Sequence, residues 1–281
     1  MQILTVTVPD DYDLYLLGDS HEGNVLQHRS GYLEALEAVM SQKRSFVIHM
    51  GDEIEAFWID DPRYDPATST KTPLAQQEQV IKDLSGVAKA KKLLTILFGN
   101  HSYKLYPKIG DITASTCNAL KVPYGGFSCV VFFNDRHGTQ WKGFFTHGRK
   151  VIRSIADDPV RKLANEKLQL KQHLKHKAGD CLLMAKGHCH RLIISEPQAQ
   201  LYLTTDPKLR IKQHYTECET NGNGYIHPDH RWYVATGSFL KLFGDGISGY
   251  AEFAEYDPVE LGYAIVEVRG RKITDVRKVA V

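Results

Sequence analysis

The chain has no C-x-x-C pair and no even cysteine set. Its five thiols, Cys117, Cys129, Cys181, Cys189 and Cys218, are scattered over 281 residues. That spacing argues against a disulfide scaffold or a four-cysteine zinc site. The thiols read as reduced core residues of a cytosol-like compartment, so a cytoplasmic location is expected. No apolar run approaches the roughly 18 residues that span a bilayer, so no membrane partner is expected. The first residues, MQILTVTVPDD, have neither the basic start nor the long apolar stretch of a signal peptide. An excess of one charge is also missing: 35 Lys and Arg stand against 33 Asp and Glu, a formal charge of +2. Internal repeats, low-complexity linkers and charge blocks are absent too. What remains is an ordinary globular composition, 42% hydrophobic and 24% charged, in a chain long enough to bury roughly three quarters of its unfolded surface. A single domain over 1–281 fits best, with a basic helical stretch at 157–178 as a candidate insertion. Histidine is the one residue in plenty, at 13, and its placement says more than its number.

Three short apolar runs end in small or polar residues: Leu14–Asp19, Ser45–Asp52 and Leu93–Asn100. Between them lie helical stretches. Ser30 is positioned to cap one that puts Leu33, Leu36, Val39 and Met40 on a face. Thr72-Pro73 opens another, with Ile81, Leu84 and Val87 inward. Buried strands alternating with helices predict a largely parallel sheet, and ligands collect beyond the carboxyl ends of such strands. From Val130 the texture turns to β: 130–133, 141–146, 182–185, 199–203, 232–236 and 263–268. One long helix interrupts it, opened by Asp158-Pro159, and Asn221-Gly-Asn-Gly224 signals a turn.

The polar residues that follow the apolar runs form a series: Asp19-Ser-His21, Gly51-Asp52, Gly99-Asn100-His101, Thr146-His147-Gly148 and Gly187-His188-Cys-His190. A second D-x-H, Asp135-Arg-His137, sits between two β runs and reads as a hairpin turn. In an extended backbone, residues two apart face the same side, so Asp19 and His21 are expected to hold one ion together, as are His188 and His190. Imidazole, carboxylate and amide oxygen suit divalent manganese, iron, zinc or nickel. The two oxygens of Asp52 allow it to bridge two such ions. His49, three residues before Asp52, is a candidate for a supporting role. The remaining histidines read as surface or core.

The ordered series D-x-H, GD, GNH, H, GHCH resembles the calcineurin-like metallophosphoesterase family from about Leu14 to His190. The resemblance implies an α/β fold, an α/β/β/α sandwich of two mixed sheets flanked by helices. It implies two divalent metal ions, manganese first among the candidates. Asp19, His21 and His190 would hold one ion, Asn100, His147 and His188 the other, and Asp52 would bridge. His101 would contact the phosphate and protonate the leaving group. The implied activity is hydrolysis of a phosphate ester by a hydroxide shared between the ions. A phosphodiesterase acting on nucleotide or nucleic acid is favoured by Arg149, Lys150 and Arg153, which follow His147. The alternatives are a phosphomonoesterase and a non-catalytic binding scaffold. Oligomeric state is not readable. Two positions depart from the family pattern: Ser102 stands where an acidic residue often follows GNH, and Glu53 where an apolar or neutral residue usually follows GD. The basic helix, with Arg161, Lys162, Lys167, Lys171, Lys175 and Lys177, reads first as a solvated amphipathic helix and second as a polyanion guide. The acidic stretch Glu53, Glu55, Asp60, Asp61 and Asp65 would oppose a long phosphate backbone if it faced the site.

Overall fold

The three apolar runs become adjacent parallel strands, β2 (Tyr12–Leu17), β3 (Ser45–His49) and β4 (Leu93–Leu97). The computed structural model describes residues 1–217, 224–247 and 250–281. Around that core the remaining strands are β1 (Gln2–Thr7), β5 (Tyr124–Gly126), β6 (Ser128–Asp135), β7 (Gly138–Thr146), β8 (Leu183–Lys186), β9 (Leu192–Ser195), β10 (Leu201–Thr205), β11 (Ile211–Tyr215), β12 (Trp232–Thr236), β13 (Gly262–Arg269) and β14 (Lys272–Ala280). The helices are α1 (Arg29–Ser41), α2 (Pro73–Lys89), α3 (Asn100–Ile109), α4 (Ile112–Leu120), α5 (Pro159–Leu174) and α6 (Tyr250–Phe253).

Two six-stranded sheets result, one ordered β14-β13-β2-β3-β4-β5 and the other β1-β6-β7-β8-β12-β9. Both are mixed. In the first, β2 to β5 run parallel, β13 lies antiparallel to β2, and β14 lies antiparallel to β13. Period-2 alternation gives each sheet an inner and an outer apolar face. The inner faces meet through Leu14, Leu16 and Ile48 from one sheet and Val131, Phe133, Phe145 and Leu183 from the other. The outer face of the first sheet packs Val47 and Ile96 against Leu36 and Val39 of α1 and Val80, Leu84 and Val87 of α2. The outer face of the second packs Val130, Phe144 and Met184 against Leu170 and Leu174 of α5. The architecture is the expected α/β/β/α sandwich, and α5 forms its fourth layer.

Helix starts follow from local chemistry. The Thr72 side chain accepts from the Ala75 amide at 3.3 Å with Pro73 in the first turn, as the sequence predicts. Asp158 does the same for the Arg161 amide at 2.7 Å. Helix α1 differs: it begins at Arg29, one residue before the expected cap Ser30, and no side chain caps it. Tyr32 and Ala35 join Leu36 and Val39 on its buried face, whereas Met40 is exposed. Leu163 of α5 is also exposed. Asp135-Arg-His137 is the hairpin turn between β6 and β7, where Asp135 accepts from the His137 amide at 2.6 Å.

Three further features matter below. Among the described residues the ribbon β10–β11 pairs only with itself, and it is exposed along its length. Arg231 is fully buried with no carboxylate in ion-pair contact among the described residues, and it donates to the carbonyls of Ile226 (2.8 Å), Lys175 (3.0 Å) and Gly179 (2.9 Å). Cys117, Cys129, Cys181 and Cys189 are unpaired, and Cys218 lies outside the described residues, as do 221–223 of the expected turn. Among the described residues, no helix is long and apolar enough to cross a membrane.

Candidate metal centre

All the sequence-predicted site residues lie where β2, β3, β4, β7 and β8 end. Backbone hydrogen bonds extend the strand pairing into these loops: Asp19 N to Gly51 O at 2.9 Å, His21 N to Asp52 O at 3.1 Å and Gly187 N to Thr146 O at 3.1 Å. The two sheets are joined at this point by Asp19 Oδ2, which accepts from the His188 amide at 3.1 Å.

The backbone there is not extended, which corrects the reason given above for pairing Asp19 with His21. Asp19 (φ 50°), His21 (48°), Asp52 (47°), His188 (69°) and His190 (47°) all adopt left-handed conformations. Such conformations cost about 1 kcal/mol or more each for non-glycine residues and collect at functional sites. Left-handed turns, not strand alternation, aim these side chains inward. Gly99 shows how close the chain segments come, since a Cβ there would lie 2.1 Å from Asp52 Oδ1.

Two donor sets result. In the first, Asp19 Oδ1 lies 3.2 Å from His190 Nε2 and 4.0 Å from His21 Nε2, and the two Nε2 atoms are 3.2 Å apart. In the second, His147 Nε2 lies 3.1 Å from Asp52 Oδ2 and 2.9 Å from Asn100 Oδ1, with His188 completing a group that could hold a metal ion. Asp52 Oδ1 accepts from the His101 amide at 2.9 Å, which places a carboxylate on the N-terminus of α3. His101 Nε2 lies 4.0 Å from Asp52 Oδ2.

Hydrogen-bond acceptors set the imidazole tautomers. A carbonyl can only accept, so His147 Nδ1–H donates to Met50 O (2.9 Å) and His101 Nδ1–H to Glu55 O (2.6 Å). His21 Nδ1–H donates to Glu55 Oε2 at 2.7 Å. In each ring Nε2 is left to face the site. Electrostatics follow. Burial would raise Asp52, but His147 and His101 outweigh it and hold the carboxyl well below its usual range. Burial would lower His147, but Asp52 and Asp19 lift it to about 9. His188, pressed by burial and by His147, falls to about 4. His147 thus keeps a proton on Nε2 among Asp52 and Asn100 oxygens, at the place a cation would take.

The donor set fits divalent ions. Asp19 Oδ1 is buried, and among the described residues it receives no well-aligned hydrogen bond, His190 Nε2 being its nearest nitrogen at 3.2 Å. A buried carboxylate oxygen without a donor is costly unless a cation balances it.

Glu55 is the residue the sequence reading missed as part of the site. Buried like the ligands, it holds His21 and lies 3.9 Å from His101 Nδ1. Its spacing, three residues after Asp52, was the only available signal. The two departures from the family pattern meet each other: Ser102 Oγ donates to Glu53 Oε1 at 3.2 Å, and Thr113 of α4 donates to the same oxygen. His49 supports the Gly51 turn, with Nδ1 3.4 Å from the Gly51 amide. Most of the acidic stretch is locally matched, with Asp61 to Arg63 and Lys104, Asp60 to Lys108, and Glu53 and Glu55 buried, whereas Asp65 has no ion pair among the described residues and lines the same cavity as His21 and His101. On α5, Lys162, Lys167 and Lys171 pair with Asp257, Glu196 and Asp229.

The donors open into a cleft of about 1020 Å³, walled by Phe57, Tyr64 and Tyr256 with Arg63, Arg153 and Arg191. Phe57 stacks on His101 with centroids 5.0 Å apart.

The sequence matches no protein-family model and no curated protein. Among solved structures, the chain is similar to Vacuolar Protein Sorting 29 from Cryptosporidium parvum, at 11% identity over 97% of this chain and 100% of that one, TM-score 0.38. It is also similar to the NAD nucleotidase NadN of Haemophilus influenzae, at 12% identity over 96% of this chain and 50% of that one, TM-score 0.38. A third is the Pseudomonas putida nuclease MPE, at 11% identity over 95% and 87%, TM-score 0.32. Likenesses this distant add nothing to the site, which stands on the chain's own geometry.

Proposed function

We propose that the chain is a dinuclear metal-dependent phosphoesterase of the calcineurin-like metallophosphoesterase type, acting on phosphodiesters of nucleotides or nucleic acid. The observation that carries this reading is the buried convergence of Asp19, His21 and His190 beside Asn100, His147 and His188, with Asp52 between. Asp19, His21 and His190 would hold one ion, Asn100, His147 and His188 the other, and Asp52 both. Manganese is the first candidate. Ions held there would supply positive charge at phosphorus and a water acidic enough to attack it near neutral pH.

The chain's own residues do the rest. Glu55 locks His21 and, through its carbonyl, His101, so neither ring needs to reorganise during reaction. His101 then points Nε2 toward the leaving-group oxygen, as a general acid requires. Burial lowers His101, although Asp52 and Glu55 oppose it. An anionic ester in the cleft adds negative charge and favours the protonated ring that donates. Phe57 covers that ring and keeps water from it. Arg63, Arg153 and Arg191 line a cleft roomier than a simple monoester needs, which supports the diester preference.

The test is a panel of bis-p-nitrophenyl phosphate, p-nitrophenyl phosphate, and single- and double-stranded DNA, each with Mn, Ni, Zn or Mg added separately. Diester turnover above monoester turnover with manganese is expected. Asp52→Asn is expected to abolish hydrolysis and reduce bound metal. Near-normal turnover in that variant would refute the dinuclear assignment. A wild-type protein that binds metal but hydrolyses none of the panel would favour a binding scaffold.

A further inference from the structure

Asn100 also lines a second hollow of about 340 Å³, together with Phe98, Tyr103, Phe127 and Arg149 among others. Its walls are aromatic. Phe98 is buried and forms the floor, while Phe127 is 57% and Tyr103 44% exposed. Phe127 sits 5.0 Å from Phe98 and 5.5 Å from Tyr103, and Tyr106 continues the row 6.5 Å beyond Tyr103. Adjacent rings left open to water are a marked apolar patch for a soluble surface.

The rim of the same hollow is positive. Arg149 lines it, and neither Arg149 nor the neighbouring Lys150 has an ion pair or side-chain hydrogen bond among the described residues. Lys186, 2% exposed, reaches to the backbone of Gly148, where a Cβ would lie 2.6 Å from its Nζ. The lysines of α5 contrast with this, being matched by Asp257, Glu196 and Asp229. Unmatched cations beside open ring faces suit a ligand that is at once flat, apolar on its faces and anionic along its edge. A protein's apolar patch would use the rings and leave the cations unmatched. A duplex would offer phosphates but no free base face, whereas single strands stack their unpaired bases on aromatic side chains.

Resting on the phosphodiesterase reading, we infer that this hollow is a base-stacking subsite for the nucleotide next to the scissile phosphodiester of a single-stranded polynucleotide, with Arg149 and Lys150 receiving the flanking phosphate. Asn100 links the two sites, since it lines the hollow and its Oδ1 contacts His147. The strand would leave the metal cleft over α3 and stack its next base on the open face of Tyr103 or of Phe127, whose rings stand 70° apart.

The experiment is fluorescence anisotropy of 5′-fluorescein dT12 in EDTA, which reads binding without turnover. Stacking on an aromatic residue is worth enough that Tyr103→Ala/Phe127→Ala should raise the dissociation constant roughly 5- to 150-fold. A twelve-residue abasic strand should bind the wild type about as weakly as dT12 binds the variant. Phe127→Leu keeps apolar bulk and tolerates folding, yet should lose affinity in the same direction. Equal dT12 affinity in wild type and folded variants, or abasic binding as tight as dT12, would overturn the subsite. Wild-type turnover of bis-p-nitrophenyl phosphate with manganese separates the two readings. Its absence, with dT12 affinity still dependent on the rings, would remove the hydrolase and leave the subsite. Its presence with ring-independent dT12 binding would do the reverse.

Discussion

Glu53→Gln is expected to stabilise the metal-free protein at alkaline pH and to change little at acid pH. The Glu53 carboxyl is 1% exposed, and burial, with Asp52 next to it, raises it from 4.5 to about 7 against the Thr113 and Ser102 hydrogen bonds that favour the charged form. Among the described residues its Oε2 has no hydrogen-bond partner. An acid raised on folding favours the folded state while protonated in both states, below about pH 4.5. That contribution disappears as pH rises through about 7. The gap between 4.5 and about 7, at ~1.4 kcal/mol per pH unit, amounts to about 3 kcal/mol. Glutamine keeps an oxygen for Ser102 and Thr113 and carries no charge, so the gain should develop between pH 5 and 7.5 and level off above. In a chain of this size that corresponds to about 6 °C in melting temperature. Urea and thermal unfolding of both proteins in EDTA, from pH 5 to 8.5, measure it. A wild-type-minus-variant difference that stays constant with pH would refute the assignment of a raised, buried acid at position 53.

Three further outcomes follow from the site. His101→Ala should leave metal content intact and lower turnover by around 100-fold or more, with a smaller loss for activated leaving groups; an equal loss for all leaving groups would remove the acid role. Glu55→Gln should weaken metal binding roughly 10- to 100-fold in a calorimetric titration, because His21 loses the carboxylate that sets its tautomer; unchanged affinity would show that Glu55 only packs. Lys167→Met/Lys171→Met should leave the salt dependence of single-stranded DNA binding unaltered, since both lysines are already paired, whereas Arg149→Met should reduce its slope by about one. A fall in slope for the α5 variant would restore the helix as a polyanion guide.

The layered fold was legible because β2, β3 and β4 are written as short apolar runs with helical periodicity between them, and burial on both faces leaves such runs little other choice. The convergence of the polar blocks was legible for a related reason: polar, metal-competent residues directly after buried strands have no core role there. The backbone conformation at those blocks was not. Asp19 and His21 look like a same-side pair on a strand, and only long-range hydrogen bonds to Gly51 and Asp52 reveal the left-handed turns. Glu55 was hidden because its partners lie 34 and 46 residues away in the sequence. Glu53 and Ser102 each look anomalous alone and are ordinary as a pair, a relation that sequence order does not display. The lysines of α5 resembled a free charged face for the same reason, since Glu196 and Asp229 come from other elements.

Arg231 binds the fourth layer to the rest of the molecule by an unusual route. Its guanidinium is shared among carbonyls from the end of α5 and from the segment before β12, so each segment neutralises part of a charge that neither could shelter alone. Excising residues 157–178 would therefore remove the Lys175 and Ala178 carbonyls and leave the guanidinium to those of Gly179 and Ile226 alone.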